Sequence, residues 1–173
     1  MNTWLGLSKR IDAFSRWTGI VCSYLMIPLT LLVVYEVITR SFQHPTVWTF
    51  EMSNFFYGAH FMLVAAYGLL YKSHVTIDLV TSRFSQKTQA VLSLICYLFM
   101  YFPFIAVWLY FGFSYSLNSW SMMETSWSIW GPPLYPIKTV IPLTAVMLLL
   151  QGISEVIKTI DVLVQERGEA HES

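Results

Sequence analysis

Glu36 and Arg40 stand four residues apart, in the acid-first order that brings opposite charges together on one helix face. Glu51 begins the next apolar run, where a helix N-terminus stabilises a carboxylate. The three groups suit a neutralised ion network joining two helix ends; a transported-ion or substrate site is the functional alternative, because ionisable groups beside membrane spans are default suspects. A second constellation is the polar stripe Ser53, Tyr57, His60, Tyr67 and Tyr71, whose helical spacing suits hydrogen bonding across an interface. His60 falls near the middle of its run and is a candidate proton relay or haem ligand. A haem held by two histidines needs a second imidazole at similar depth, yet His44, His74 and His171 all lie outside the apolar runs. Packing is therefore the favoured role for His60. Gly58, Ala59, Ala65, Ala66 and Gly68 would let another helix approach closely.

No catalytic constellation accompanies these residues. The chain lacks a nucleophile motif, a phosphate-cradling glycine loop and a dinucleotide fingerprint. Cys22 and Cys96 show no metal or redox spacing and are expected to be reduced, buried packing residues. The expectation is a nonenzymatic protein with no cofactor, no metal and no substrate-binding residues of its own.

The elements that must position these groups are four apolar runs: Trp17 to Tyr35, Met52 to Tyr71, Thr88 to Glu124 and Thr139 to Ser154. A crossing helix needs about 20 residues. The first two runs fit, the third has residues to spare, and the fourth fits if Lys138 and Glu155 lie at the interfaces. Hydrophobic residues make up 55% of the chain and charged ones 12%, against about 25% charged in a soluble domain. The predicted fold is therefore an all-α integral membrane protein with four transmembrane helices. Lys9, Arg10 and Arg16 precede the first run, Lys72, Arg83 and Lys87 separate the second from the third, and Lys158 and Arg167 follow the fourth. Only Arg40 and Lys138 remain for the opposite side, so both termini are predicted to be cytoplasmic. Residues 1–160 read as one membrane domain, with 161–173 as an acidic cytoplasmic tail. No basic run suggests nucleic acid.

Trp4, Leu7, Ile11 and Phe14 recur at helical spacing beside Lys9, Arg10 and Arg16, which predicts an amphipathic N-terminal helix lying on the cytoplasmic leaflet. His74 to Phe84 offers a second interfacial stretch. The third span is expected over about Gln89 to Ser114, kinked near Phe99 to Pro103. The loop with Trp120, Trp127, Trp130 and Tyr135 should lie along the outer membrane surface, and Pro132, Pro133 and Pro136 stiffen the re-entry. Pro142 is expected to kink the fourth helix or mark its start.

The ordered segments Val37-Ile38-Thr39-Arg40-Ser41-Phe42, Trp48-Thr49-Phe50-Glu51, Gly58-Ala59 and His74-Val75-Thr76-Ile77-Asp78 resemble the DctQ-like small membrane subunit of tripartite ATP-independent periplasmic (TRAP) transporters. The resemblance spans about residues 10 to 160. It departs from the commoner pattern at Tyr71-Lys72-Ser73, where an arginine and glycine are more usual. It implies a bacterial inner-membrane complex in which a periplasmic solute-binding protein delivers a carboxylate-bearing solute, of C4-dicarboxylate or sialic acid type. A large multi-span subunit carries the substrate and sodium sites, and the small subunit extends its static scaffold. By the same resemblance, Arg40, Trp48 and Glu51 belong to the outer motif, and His74 and Asp78 to the motif after the second span, with structural or interface roles. Expected contacts are the large subunit, the binding protein and lipid, with Trp120, Trp127 and Trp130 as a docking candidate. The competing readings are a membrane anchor of a respiratory oxidoreductase, using His60 for haem, and a small self-sufficient exporter.

Overall fold

A computed structural model describes residues 2–71 and 85–172, without the side chains of residues 2, 3, 86 and 166–172. His74, Asp78, the expected stretch from His74 to Phe84 and the imidazole of His171 lie outside these. The described residues are helical: α1 (Asn2–Ser23), α2 (Met26–Ser41), α3 (Thr49–Leu63), α4 (Ala65–Leu70), α5 (Gln86–Cys96), a π-helical turn (Tyr97–Tyr101), α6 (Phe102–Ser121), the short α7 (Tyr135–Lys138) and α8 (Val140–Glu172). The extended pairing among them is an isolated bridge between Thr125 and Pro133.

Three helical stretches are long and apolar enough to cross a membrane: Trp4–Ser41, Lys87–Ser121 and Tyr135–Gln165. The remaining expected span is divided at Val64 into α3 and α4, and Glu51, Asn54 and His60 lower its apolar character. The third helix runs on to Ser121, beyond the expected end at Ser114, because nothing between them breaks a helix. Pro103 acts as anticipated but through a π turn. Proline has no N–H to give the carbonyl four residues earlier, and the widened turn at Tyr97–Tyr101 accommodates that gap. Pro142 sits in the first turn of α8, where its missing N–H is harmless.

α8 is the central post. It contacts α1, α3, α4, α5, α6 and α7, whereas α2 packs chiefly on α3. Ala66, Ile105, Met147 and Leu148 form the buried apolar centre, bordered by Leu63, Leu69, Tyr101 and Trp108. The burial pattern is the reverse of a water-soluble protein. Among the described residues, nine polar or charged side chains are buried against six hydrophobic ones, while dozens of large apolar side chains face outward. Lipid tails are as apolar as leucine, so helices in a bilayer associate through small residues and internal hydrogen bonds.

Close approach to α8 depends on two glycines. A Cβ on Gly152 would collide with the Tyr101 ring, and one on Gly112 would press on Ile141. The Tyr101 ring cannot swing away freely, since its hydroxyl donates to the Leu148 carbonyl at 2.8 Å. On the other side, Gly19 of α1 admits the Tyr67 ring.

The N-terminal helix shows its apolar stripe outward. Trp4, Leu7 and Phe14 are exposed, whereas Ser8 and Ser15 on the opposite face are buried. α1 also packs on α3 and α4: Gly19 meets Tyr67 and the Cys22 carbonyl meets His60.

Candidate functional site

Two polar clusters lie at opposite ends of the bundle. The first gathers the ends of α2, α3, α6 and α7. Arg40 donates to Glu36 across one helical turn at 2.9 Å, and Thr46 donates to the other Glu36 oxygen while sharing a hydrogen bond with Thr49. The Tyr35 and Trp48 rings sit 6.1 Å apart beside them. Glu51 turns away from this pair and accepts from Ser126 in the long loop; its second oxygen is buried without a partner. Thus the structure joins Glu36 with Arg40 directly and uses Glu51 to tie the start of α3 to the loop.

That loop is itself braced. Lys138 and Ser119 both donate to Glu124, and the Lys138 ammonium lies 4.2 Å from the centre of the Tyr115 ring. The hydrogen bond from Lys138, then that from Ser119, holds the Glu124 carboxyl below the usual carboxylate range. Trp120 donates to Thr139 at 2.8 Å and packs on Tyr135. Backbone bonds from Ser126 to Pro132 and from Leu134 to Glu124 close the segment, and Gly131 provides its left-handed turn at φ 59°. Trp127 and Ile129 project from this frame almost wholly exposed.

The predicted stripe on the second arm divides. His60 Nδ1 lies 3.0 Å from the Cys22 carbonyl, and Tyr67 packs into the Gly19 notch and against Tyr71. Ser53 is half-buried, while Tyr57 and Tyr71 are exposed. Of the small residues, Ala66 enters the core, whereas nothing lies within 4 Å of a Cβ built on Gly58. Both cysteines are free, and only Cys22 is partly buried; Cys96 faces outward, contrary to expectation. Its helix presents that side to the exterior, where a thiol behaves as a small apolar group.

The second cluster was not anticipated. Asp12 accepts from Ser154 at 2.7 Å and from the Gln151 amide at 3.0 Å, and pairs with Lys158 at 3.2 Å. Gln151 also donates to Glu155 at 3.2 Å, Lys158 pairs with Glu155, and Ser8 and Ser154 share a bond of 2.7 Å. Gln151 and Ser154 are fully buried. The signal was present as Ser8, Asp12 and Ser15 at one helical spacing, opposite Gln151, Ser154, Glu155 and Lys158 at another. Reading α1 for its apolar stripe alone passes over the face that locks it to α8.

Neither cluster has the geometry of a catalytic site. Most carboxylate oxygens are taken up by serine, threonine, glutamine or ammonium donors, and among the described residues no three His, Cys, Asp or Glu side chains converge as metal ligands. What the clusters do is fasten helices to one another at the two ends of the bundle.

These features define a helical membrane protein with three candidate membrane-spanning stretches, whose described polar clusters join helix to helix. The chain matches, over residues 29–162, the family described as tripartite ATP-independent periplasmic transporters, DctQ component. It belongs to that family, and is thus a small membrane subunit of a TRAP transporter. No curated protein matches it. The family is one of transporter subunits, whose partners are a large membrane subunit and a periplasmic binding protein.

Proposed function

We propose that this chain is the nonenzymatic scaffold subunit of a sodium-coupled inner-membrane importer of carboxylate-bearing solutes, packed beside the large transport subunit. The observation that carries this reading is the family match joined to a bundle in which most of the clustered carboxylate oxygens are used in holding helices together. In this reading the chain crosses four times, with both termini cytoplasmic. α3 and α4 cover Thr49–Leu70, about 33 Å of helix at 1.5 Å per residue, which suits a core of about 30 Å. Trp4–Ser41 would extend about 57 Å, nearly twice that thickness. The turn at Tyr24–Leu25 and the exposed apolar stripe of α1 support an N-terminal helix lying along the inner interface, with Trp4, Leu7 and Phe14 toward lipid and Lys9, Arg10 and Arg16 toward headgroups.

Glu36, Arg40, Trp48 and Glu51 then act as the outer fastening, and His60 and Tyr67 as the contact between arms. His74 and Asp78 keep a proposed interface role at the cytoplasmic turn. The test is reconstitution in vesicles. The chain alone should give no sodium-dependent solute uptake, and uptake should require the large subunit and the binding protein together. Sodium-driven uptake by the chain alone would overturn the proposal.

A further inference from the structure

We infer that the outward face of α3 formed by Phe50, Asn54, Tyr57, Gly58 and Phe61 is the surface that receives a transmembrane helix of the large subunit. The inference rests on the scaffold reading above and on α3 crossing the bilayer. These residues follow the 4-and-3 helical spacing, and Phe50, Asn54, Tyr57 and Phe61 are all exposed. Asn54 lies about 7.5 Å along α3 from its start, below the polar collar around Glu51. Among the described residues its side-chain amide has no hydrogen-bond partner.

A lipid tail cannot satisfy two amide donors and a carbonyl acceptor, so a side-chain amide on the hydrocarbon face calls for polar groups of another protein. The adjacent surface is shaped for one. Gly58 leaves bare backbone open to the outside, and the Tyr57 and Phe61 rings stack beside it at 6.2 Å, tilted by only 20°. The other large exposed faces have a different character. On α2 the outward series is Ile27, Leu31, Val34 and Ile38, and on the third span it is Met100, Phe104, Val107 and Phe111. Those stretches are apolar and suit lipid; Thr30 beside the first of them donates to the Met26 carbonyl, and the second series reaches the exposed polar residues Ser114 and Asn118 only toward the end of its helix. The binding protein, which remains in the aqueous periplasm, cannot reach residues 54 to 61 at this depth. The occupant is therefore a membrane helix of the large subunit carrying a polar side chain opposite Asn54 and a bulky one opposite Gly58.

The test places the photocrosslinking residue p-benzoylphenylalanine at Tyr57 or Phe61 in the full chain, co-expressed with the large subunit. The same label at Leu31 and Phe104 provides the comparison. Crosslinks to the large subunit from positions 57 and 61, absent from 31 and 104, are expected. Asn54→Leu should lower the large subunit retained on purification roughly five-fold, in line with one interhelical hydrogen bond, without changing the melting temperature of the isolated chain. Crosslinks to the large subunit only from 31 or 104, to a second copy of this chain, or to lipid alone would overturn the inference and leave the scaffold reading standing. Failure of any large subunit to co-purify with the wild-type chain would overturn both.

Discussion

Gly152, Gln151 and Glu124 show three ways in which single residues hold this fold. Gly152→Ala drives a methyl into the Tyr101 ring, which the Leu148 carbonyl holds in place. It should destabilise the bundle by about 1–3 kcal/mol, measured by unfolding in mixed micelles, whereas Gly58→Ala, with open space around it, should leave the isolated chain unchanged. Gln151→Leu removes the amide that bridges Asp12 and Glu155 and should cost about 1–3 kcal/mol, because it leaves buried acceptors short of a donor; an unaltered unfolding curve would show that water takes its place. Glu124 gives a pH dependence. Its folded carboxyl is held below the usual range by Lys138 and Ser119, so its contribution is complete above the unfolded value of about 4.3 and is lost as pH falls through the lowered one. Fluorescence of Trp120 and Trp130 should report loosening of the loop only as pH falls below the usual carboxylate range, and Glu124→Gln should abolish that transition.

At the scale of elements, the loop from Glu124 to Leu134 makes the clearest prediction. A braced frame presents Trp127 and Ile129 outward, and aromatic side chains concentrate in the headgroup zone. Brominated lipids should therefore quench Trp127 when the bromines lie near the headgroups, and the quenching should vanish in Trp127→Ala. Strong quenching only after removal of the binding protein would instead mark the loop as its docking site. Much of this level was legible beforehand. Apolar runs gave the helices, Pro103 gave the irregularity in the third span, and the spacing of Glu36 and Arg40 gave their pair. Other features depend on tertiary placement. The partner of Glu51 is Ser126, 75 residues away, and no local spacing points to it. The break at Val64 leaves no proline or glycine as a signal. The Asp12 cluster was missed because its two halves come from opposite ends of the chain, each resembling an ordinary polar helix face.

For the whole molecule, burial of polar groups and exposure of apolar ones follow from a single physical condition, a surrounding that supplies no hydrogen bonds. Polar side chains then act as fasteners, and any left over, such as Asn54, direct attention to a missing protein neighbour. On the scaffold reading, a large transport subunit completes this bundle. Affinity purification of the tagged chain from solubilised native membranes, with mass spectrometry and an absorption spectrum of the eluate, tests it most directly. A stoichiometric large multi-span partner in a colourless complex is expected; dehydrogenase subunits accompanied by a haem band would overturn the scaffold reading.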